Sequence, residues 1–327
     1  RVRSSAASDV YKRQGLYQGL GTHVQRRAIR RWVTSKAELE QLHGALLPAA
    51  AVAITVAVAA LLGRVGADAR WLAALGHTIM ARGSVPSGIP FATAPSAHWP
   101  NVLVLAELIF NALERTFGDR GLMLAQLLAV AGAMGILARD ARAAGAKEGP
   151  SARVLLIGAL GALPALVVAR VQLFSLVLFP VLVALLRAQA RAPSRRIWLV
   201  VPLLALWSNL HGAALLGLLT VLVFLLCCQG RAFPLQSIGV AIAAVLSLCA
   251  TPALLRTVTY YHGLLSNLAA QRGQGMWGPL SLTAPLQMLM VACVIALVWR
   301  IRRRHLALWE LVVIVLLVPL TIRAQRN

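Results

Sequence analysis

Acidic residues are scarce in this sequence, with 10 Asp and Glu against 32 Lys and Arg in 327 residues, a formal net charge of +22. Charged residues of both signs make up only 13% of the chain, about half of their usual share in soluble domains. A soluble fold of this length could not bury the 59% of its residues that are hydrophobic. The low charge therefore argues against a soluble enzyme.

Cysteine and the common catalytic motifs are also sparse. The four cysteines, Cys227, Cys228, Cys249 and Cys293, lie in apolar runs or at their ends without the spacing of metal ligands. Glycine-rich phosphate loops and Ser/His/Asp or Cys/His signatures are missing. No cofactor is expected. The one metal alternative is a divalent ion bound by His98 with Asp68, although no histidine pair has helical i, i+4 spacing.

Long apolar runs dominate what is present. The run at 45–63 has the roughly 20 residues that a helix needs to cross a bilayer. Further runs follow at 101–117, 120–138, 153–169, 172–187, 197–209, 213–228, 235–250, 286–300 and 306–322. We predict an all-α, polytopic bundle of about nine or ten membrane helices, some of them short enough to be tilted or partly inserted.

The basic residues stand in clusters between the apolar runs, which is typical of loops that flank membrane spans and not of a nucleic-acid-binding face. A basic arm at 15–44 is predicted to be cytoplasmic, which places the segment 64–100 outside the membrane. The remaining clusters are predicted on the cytoplasmic side: Arg139/Arg142/Lys147/Arg153, Arg187/Arg191/Arg195/Arg196 and Arg300/Arg302/Arg303/Arg304.

This orientation depends on the run at 101–117. Glu107, Asn111, Glu114 and Arg115 make a partial or amphipathic helix plausible there. A full crossing would invert everything that follows, and the sequence leaves the two alternatives open. We assign the turn at Glu114 and Asp119 to the inner side.

Two carboxylates are candidates for chemistry. Asp68 is the only acidic residue in the outer segment 64–100 and is the first choice for a base; the alternative is an ion pair with Arg64 or Arg70, or a helix cap near Arg70. Glu107 lies in an apolar run, where a carboxylate usually faces a cavity or a partner. Arg170 is a candidate partner, in a site or in a buried ion pair.

The segment Trp207–Gly212 places an amide and an imidazole, those of Asn209 and His211, between two apolar runs. Polar groups at such a break are buried in protein or line water. The segment therefore predicts either a substrate cavity or a simple interfacial turn.

Several short motifs occur in the order found in GT-C-class membrane glycosyltransferases, the relatives of protein and lipid A sugar transferases. The similarity covers about residues 45–327, and it resembles a poorly characterised bacterial branch of that superfamily. The motifs are Asp68 followed by Arg70–Gly76, Ala81–Pro86, Pro90–Phe91, Trp99, Glu107, Arg170–Ser175, Trp207–Gly212 and Arg326–Asn327.

The resemblance implies a sugar transferase that uses a polyprenyl-phosphate sugar donor at the outer face of the bacterial inner membrane. It implies that Asp68 is the catalytic base or orients the acceptor, and that substrate is bound by Glu107, Arg170, Gln172, Asn209, His211 and Trp99. Cations for the phosphate are available at Arg64, Arg82, Arg170, Arg256 and Arg272. Asp68 lacks the second adjacent acid of many relatives, and Val171 replaces a proline, so a non-catalytic descendant is an alternative.

Other classes remain open: a transporter, a lipid flippase or a non-catalytic subunit of an envelope complex. By domains, we expect residues 1–14 to be translated sequencing adaptor, 15–44 to be the basic arm and 45–327 to be a transmembrane module whose C-terminus is truncated. Membrane lipids and the lipid-linked sugar are the expected partners. The sequence makes no prediction of the oligomeric state.

Overall fold

The computed structural model describes residues 45–93, 96–266 and 306–323, and short pieces at 272, 288–289, 291–293 and 295–296. Predictions for 1–44, for the cluster at 300–304 and for residues 326–327 lie outside the described residues. Within those residues the fold is all-α apart from one parallel two-residue ladder, in which Arg64 pairs with Val168. The predicted fold class is confirmed to that extent.

The elements in chain order are as follows. The N-terminal half contains α1 (Ala45–Leu62), β1 (Arg64–Val65), α2 (Ala67–Arg82), α3 (Val104–Phe117), α4 (Asp119–Ala143), α5 (Glu148–Gly161), α6 (Leu163–Leu166) and β2 (Val168–Ala169). The C-terminal half contains α7 (Leu173–Arg191), a 3-10 helix (Arg195–Leu199), α8 (Val200–Ser208), α9 (Ala214–Phe224), a π-helical turn (Leu225–Gln229), α10 (Pro234–Ser247), α11 (Arg256–Leu265) and α12 (Leu308–Arg323).

Three helices are long and apolar enough to cross a membrane: α1, α4 and α7, with 18, 25 and 19 residues. Apolar side chains cover much of their outward surfaces, including Leu61 on α1 and Leu128 on α4. Such surfaces suit lipid and not water. The described structure therefore suggests a membrane protein. Shorter apolar helices occur at Ala214–Gln229, Pro234–Ser247 and Leu308–Val318.

Contacts between helix termini define two ends of the bundle. At one end, which we call the Asp68 end, the backbone N–H of Gly66 donates to the carbonyl of Ala169 at 2.9 Å, so the end of α1 meets the start of α7. At the other end, the Asp140 end, Arg187 of α7 contacts Asp140 of α4 and Glu310 of α12, each at 2.6 Å. Helices α1, α4 and α7 each run from one end to the other.

Helix α3 lies at the Asp68 end and does not cross the bundle. Near its start, the N–H of Ala106 donates to the carbonyl of Asn209 at 3.3 Å. Just after its last residue, Asp119 pairs with Arg70 at 2.7 Å. Both ends of α3 therefore contact groups at the Asp68 end, which favours the partial-helix alternative for 101–117.

The same contact corrects the prediction that Asp68 and the turn at Glu114 and Asp119 lie on opposite sides of the membrane. Asp119 shares an end with Asp68, because Arg70 follows Asp68 by two residues in α2. Helices α2 and α3 both stay at the Asp68 end, so α4 begins at the end of the bundle at which α1 finishes. Sequence alone could not show this, since the turn has no strong charge bias.

Three apolar clusters hold this arrangement together. One packs α7 to α10 around Trp207 and Phe224. A second joins α2, α3, α4 and the start of α7 around Phe110 and Leu122. The third packs α1 against α4 and α5, with Val130 at its centre. The second cluster fixes the α2–α3 pair on the end of the bundle and so positions the candidate site.

Candidate active site

Asp68 lies in the first turn of α2 and not in a loop or at a helix cap. The helix begins at Ala67, and its N-cap position is Gly66. Alanine and leucine are strong helix formers, and they fill the segment after Asp68. A carboxylate in the first turn is also favoured by the partial positive charge of the helix N-terminus. These two effects explain why the predicted outer segment is helical from this point.

The partner of Asp68 among the described residues is Arg170, at the start of the turn before α7. Arg170 Nε donates to Asp68 Oδ1 at 3.0 Å and to Oδ2 at 3.1 Å. The predicted alternatives, Arg64 and Arg70, do not form this pair. Arg70 bonds to Asp119 instead. The pair is partly open to solvent, with side-chain exposures of 30% for Asp68 and 20% for Arg170.

A glycine makes the ion pair sterically possible. A Cβ at Gly66 would lie 2.8 Å from both Arg170 Cγ and Asp68 Oδ1. A side chain at this position would therefore force the Asp68 carboxylate or the Arg170 stem to shift. Gly66 also bonds through its N–H to Ala169, so backbone and side chains converge at this point.

The ion pair borders a cleft of about 500 Å³. Arg64 and Trp71 line it together with Asp68 and Arg170. Trp71 packs edge-on against Phe91, with ring centroids 5.4 Å apart. The cleft therefore combines one carboxylate, two guanidinium groups and an aromatic face. Of the predicted cations, Arg82 lies at the opposite end of the 16-residue α2, about 20 Å from Asp68.

A second polar group is built around Ser175, in the first turn of α7. Trp207 Nε1 donates to Ser175 Oγ at 2.8 Å, and Ser175 Oγ lies 2.5 Å from His211 Nδ1. Because the indole N–H can only donate, Ser175 Oγ accepts from Trp207. The second lone pair and the proton of the Ser175 hydroxyl suit either tautomer of His211, as acceptor from Nδ1–H or as donor to Nδ1.

Ser175 was not among the predicted site residues. It belongs to the Arg170–Ser175 motif, but a serine in an apolar helix carries no signal of its own. Only the turn at Trp207–His211 reveals its role, by bringing two partners 32 and 36 residues distant in sequence. The start of α7 therefore places Ser175 next to His211, five residues after Arg170.

Glu107 is almost fully buried, with 2% of its surface exposed. Asn101 Nδ2 donates to Glu107 Oε2 at 3.0 Å. Burial raises the pKa of this carboxyl to about 7, and the Asn101 hydrogen bond opposes that rise. The partner found for Glu107 is therefore Asn101, whereas the cation considered for it, Arg170, pairs with Asp68.

The other predicted binding residues lie at the same end. Asn209 Nδ2 donates to the carbonyls of Ala205 at 2.8 Å and Ala250 at 2.7 Å, which fixes the end of α8. Within the described residues, the Gln172 side-chain oxygen is buried without a hydrogen-bond partner. Trp99 packs edge-on against Tyr260 at 5.6 Å. Contacts of these residues with substrate remain predictions.

No metal site emerges in the part of the chain that the structure describes, where no three His, Cys, Asp or Glu side chains come together. His98, the metal candidate, is exposed on the segment before α3. The described residues thus give His98 and Asp68 no third ligand.

Comparison with known proteins adds no identification, because no family model, curated protein or solved structure matches the chain.

Proposed function

We propose that this chain is a GT-C-like membrane glycosyltransferase, which moves a sugar from a polyprenyl-phosphate donor to an envelope acceptor at the outer face of the bacterial inner membrane. One observation carries the proposal: Asp68 and Arg170, 102 residues apart, meet at 3.0 Å beside a cleft that Arg64 also lines. The motif resemblance nominated both residues independently of their contact.

The arrangement suits transfer to a hydroxyl. The acceptor oxygen would attack the anomeric carbon of the sugar while the bond from that carbon to the donor phosphate oxygen breaks. The polyprenyl phosphate leaves with the bonding electrons, and the acceptor proton passes to the Asp68 carboxylate. Arg64 and Arg170 would stabilise the negative charge that develops on the departing phosphate.

The orientation is inferred from the basic residues at the Asp140 end. They include Arg142 in the last turn of α4, Lys147 just after it, and Arg195 and Arg196 in the 3-10 helix. Clusters of this kind favour the cytoplasmic side. The Asp68 cleft then opens outside, where a lipid-linked donor presents its sugar. In this proposal the shorter apolar helices and the other predicted runs except 101–117 also cross, tilted or with local thinning of the bilayer, to give about nine membrane helices.

The test is transfer of radiolabelled sugar from polyprenyl-phosphate donors by the purified full chain in liposomes. Asp68→Asn should lower the rate about 10²- to 10⁴-fold, the contribution of a positioned acid or base. The matched control is Asp119→Asn, which removes the same charge from an ion-paired aspartate at the same end. It should keep most of the activity.

Equal transfer by wild type and Asp68→Asn would overturn the catalytic role. Movement of labelled lipid across the membrane without consumption of the donor would favour a flippase. If no tested donor supports transfer, we still expect binding of the lipid-linked sugar to depend on Asp68 and Arg170. Failure of that binding test as well would favour a non-catalytic subunit.

A further inference from the structure

A groove of about 740 Å³ runs along the outside of the bundle between α1 and α4. Its α1 wall is made of small side chains one helical turn apart, among them Ala49, Ala53 and Ala57. Its α4 wall includes Ala131 and Gly135. Behind the groove, Ala51 and Ala59 of α1 belong to the same apolar cluster as Val130 of α4, so packed side chains form its floor.

The groove changes character along its length. From Ala60 to Ala45 it is apolar, a rise of 15 residues or about 22 Å. At the Asp140 end it is lined by Arg139 and Arg142 of α4. Both side chains are exposed. An apolar channel therefore ends at two guanidinium groups.

We propose that this groove binds an anionic phospholipid of the membrane leaflet at the Asp140 end. One acyl chain would lie along Ala49, Ala53 and Ala57, and the headgroup phosphate would contact Arg139 and Arg142. The groove is longer than the roughly 15 Å half-thickness of a hydrocarbon core, so it accommodates a chain lengthwise. Basic pockets between helices at this membrane side are suited to anionic headgroups.

Charge decides between a lipid and a second helix as the occupant. A transmembrane helix packed against small residues gains from close contact alone, and the two arginines at the mouth would add nothing to it. A phosphate next to an acyl chain matches both parts of the groove. The two arginines lie at the opposite end from Asp68, so lipid binding there is separate from the transfer reaction, although the choice of leaflet rests on the orientation in the proposed function.

The test compares lipid binding by the full chain in detergent, using native mass spectrometry with phosphatidylglycerol and phosphatidylcholine at equal concentration. Each basic side chain near an anionic lipid surface raises the binding constant about fivefold. Two arginines therefore predict a preference of about 25- to 30-fold for phosphatidylglycerol. Arg139→Gln/Arg142→Gln should lose most of this preference.

Two further variants separate the groove from general surface charge. Arg195→Gln/Arg196→Gln removes the same charge at the same end, outside the groove, and should retain the preference. Gly135→Phe should lower it with both arginines intact, because no atom lies within 4 Å of a Cβ at Gly135 and the ring would fill the groove. Gly135→Ala leaves the groove open and should bind as wild type.

If both double-arginine variants lost the preference for phosphatidylglycerol equally, the proposal would be overturned in favour of non-specific electrostatic attraction. A Gly135→Phe protein that keeps the preference but changes from dimer to monomer would also overturn it, since the groove would then hold a second copy. If Gly135→Phe does not fold, the comparison of the two arginine pairs still decides.

Discussion

The two ends of the same helices hold ion pairs of opposite character. At the Asp68 end, one carboxylate meets one guanidinium beside a cleft of about 500 Å³. At the Asp140 end, Arg187 contacts two carboxylates at once, each at 2.6 Å, and so joins α4, α7 and α12. The Asp140 carboxylate is only 6% exposed.

Side-chain amides extend the difference. Near the Asp140 end, Gln189 bonds to Gln229 and to the carbonyl of Ser194, and Gln229 bonds on to Gln236. Buried oxygens without a hydrogen-bond partner in the described structure occur at both ends, those of Gln172 and of Ser237. Connected polar contacts stabilise one arrangement of helices. The partly exposed Asp68–Arg170 pair is instead a group that a substrate can engage, so stability and the proposed chemistry are divided between the ends.

The largest effect on stability is expected from Arg187→Gln. It leaves Asp140 and Glu310 without their shared cation, and removing one partner of a fully buried pair costs about 3–5 kcal/mol. We expect less than that, because Arg187 is 37% exposed. The unfolding midpoint in detergent should fall, while transfer per folded molecule stays close to wild type.

Arg191→Gln is the matched control for this change. Arg191 lies one helical turn further on α7, reaches Asp140 only at 3.9 Å and is 45% exposed. Its loss should barely alter the midpoint. A stable Arg187→Gln protein with no transfer activity would break the division between the two ends.

The next effect concerns Glu107 and pH. Its folded pKa of about 7 lies above the ordinary value of 4.5. Between these values the folded state retains a proton that the unfolded state has released, so stability falls as the pH rises from about 4.5 through 7. The difference amounts to at most about 3.4 kcal/mol.

Glu107→Gln should remove this slope, because the amide oxygen can still accept from Asn101 without ionising. The measurement is the unfolding midpoint from pH 4.5 to 8. Glu114→Gln, on the same helix, should retain the wild-type slope. A slope unchanged in Glu107→Gln would show that another group is responsible.

The sequence predicted the members of the Asp68 end better than their contacts. Asp68, Glu107 and Arg170 were nominated singly from polarity and motif order. Their pairing was not, because local arginines were the natural partners for Asp68, and the true partner comes from a turn 102 residues away. Only the meeting of β1 with β2 brings the two segments together.

The run at 101–117, which contains α3, shows the same limit of prediction from sequence: its residues were identified but their contacts were not. Its polar residues indicated that it was not an ordinary span, yet composition gives no information about where each end lies. That answer came from two long-range contacts, Ala106 with Asn209 and Asp119 with Arg70. Ser175 was overlooked because its importance is entirely in its neighbours. By contrast, the long apolar helices α1, α4 and α7 were predictable, because length and composition alone define them.

The smallest of these effects tests how α2 is fixed to α3. Gly76 of α2 lies directly against the backbone carbonyl of Glu107, which a Cβ at this position would meet. Because a backbone carbonyl cannot turn aside like a flexible side chain, Gly76→Ala should force the helices apart and cost about 1–3 kcal/mol. Gly135→Ala is the control, since it adds the same methyl group to open space.

Separation of α2 from α3 should also impair the proposed transfer reaction, because Asp68 lies in the first turn of α2. We therefore expect Gly76→Ala to lower transfer as well as the unfolding midpoint, unlike Arg187→Gln, which should lower the midpoint alone. A Gly76→Ala protein with a reduced midpoint and full activity would show that the Asp68 cleft is held by its contacts with Arg170 and Ala169, independently of the α2–α3 packing.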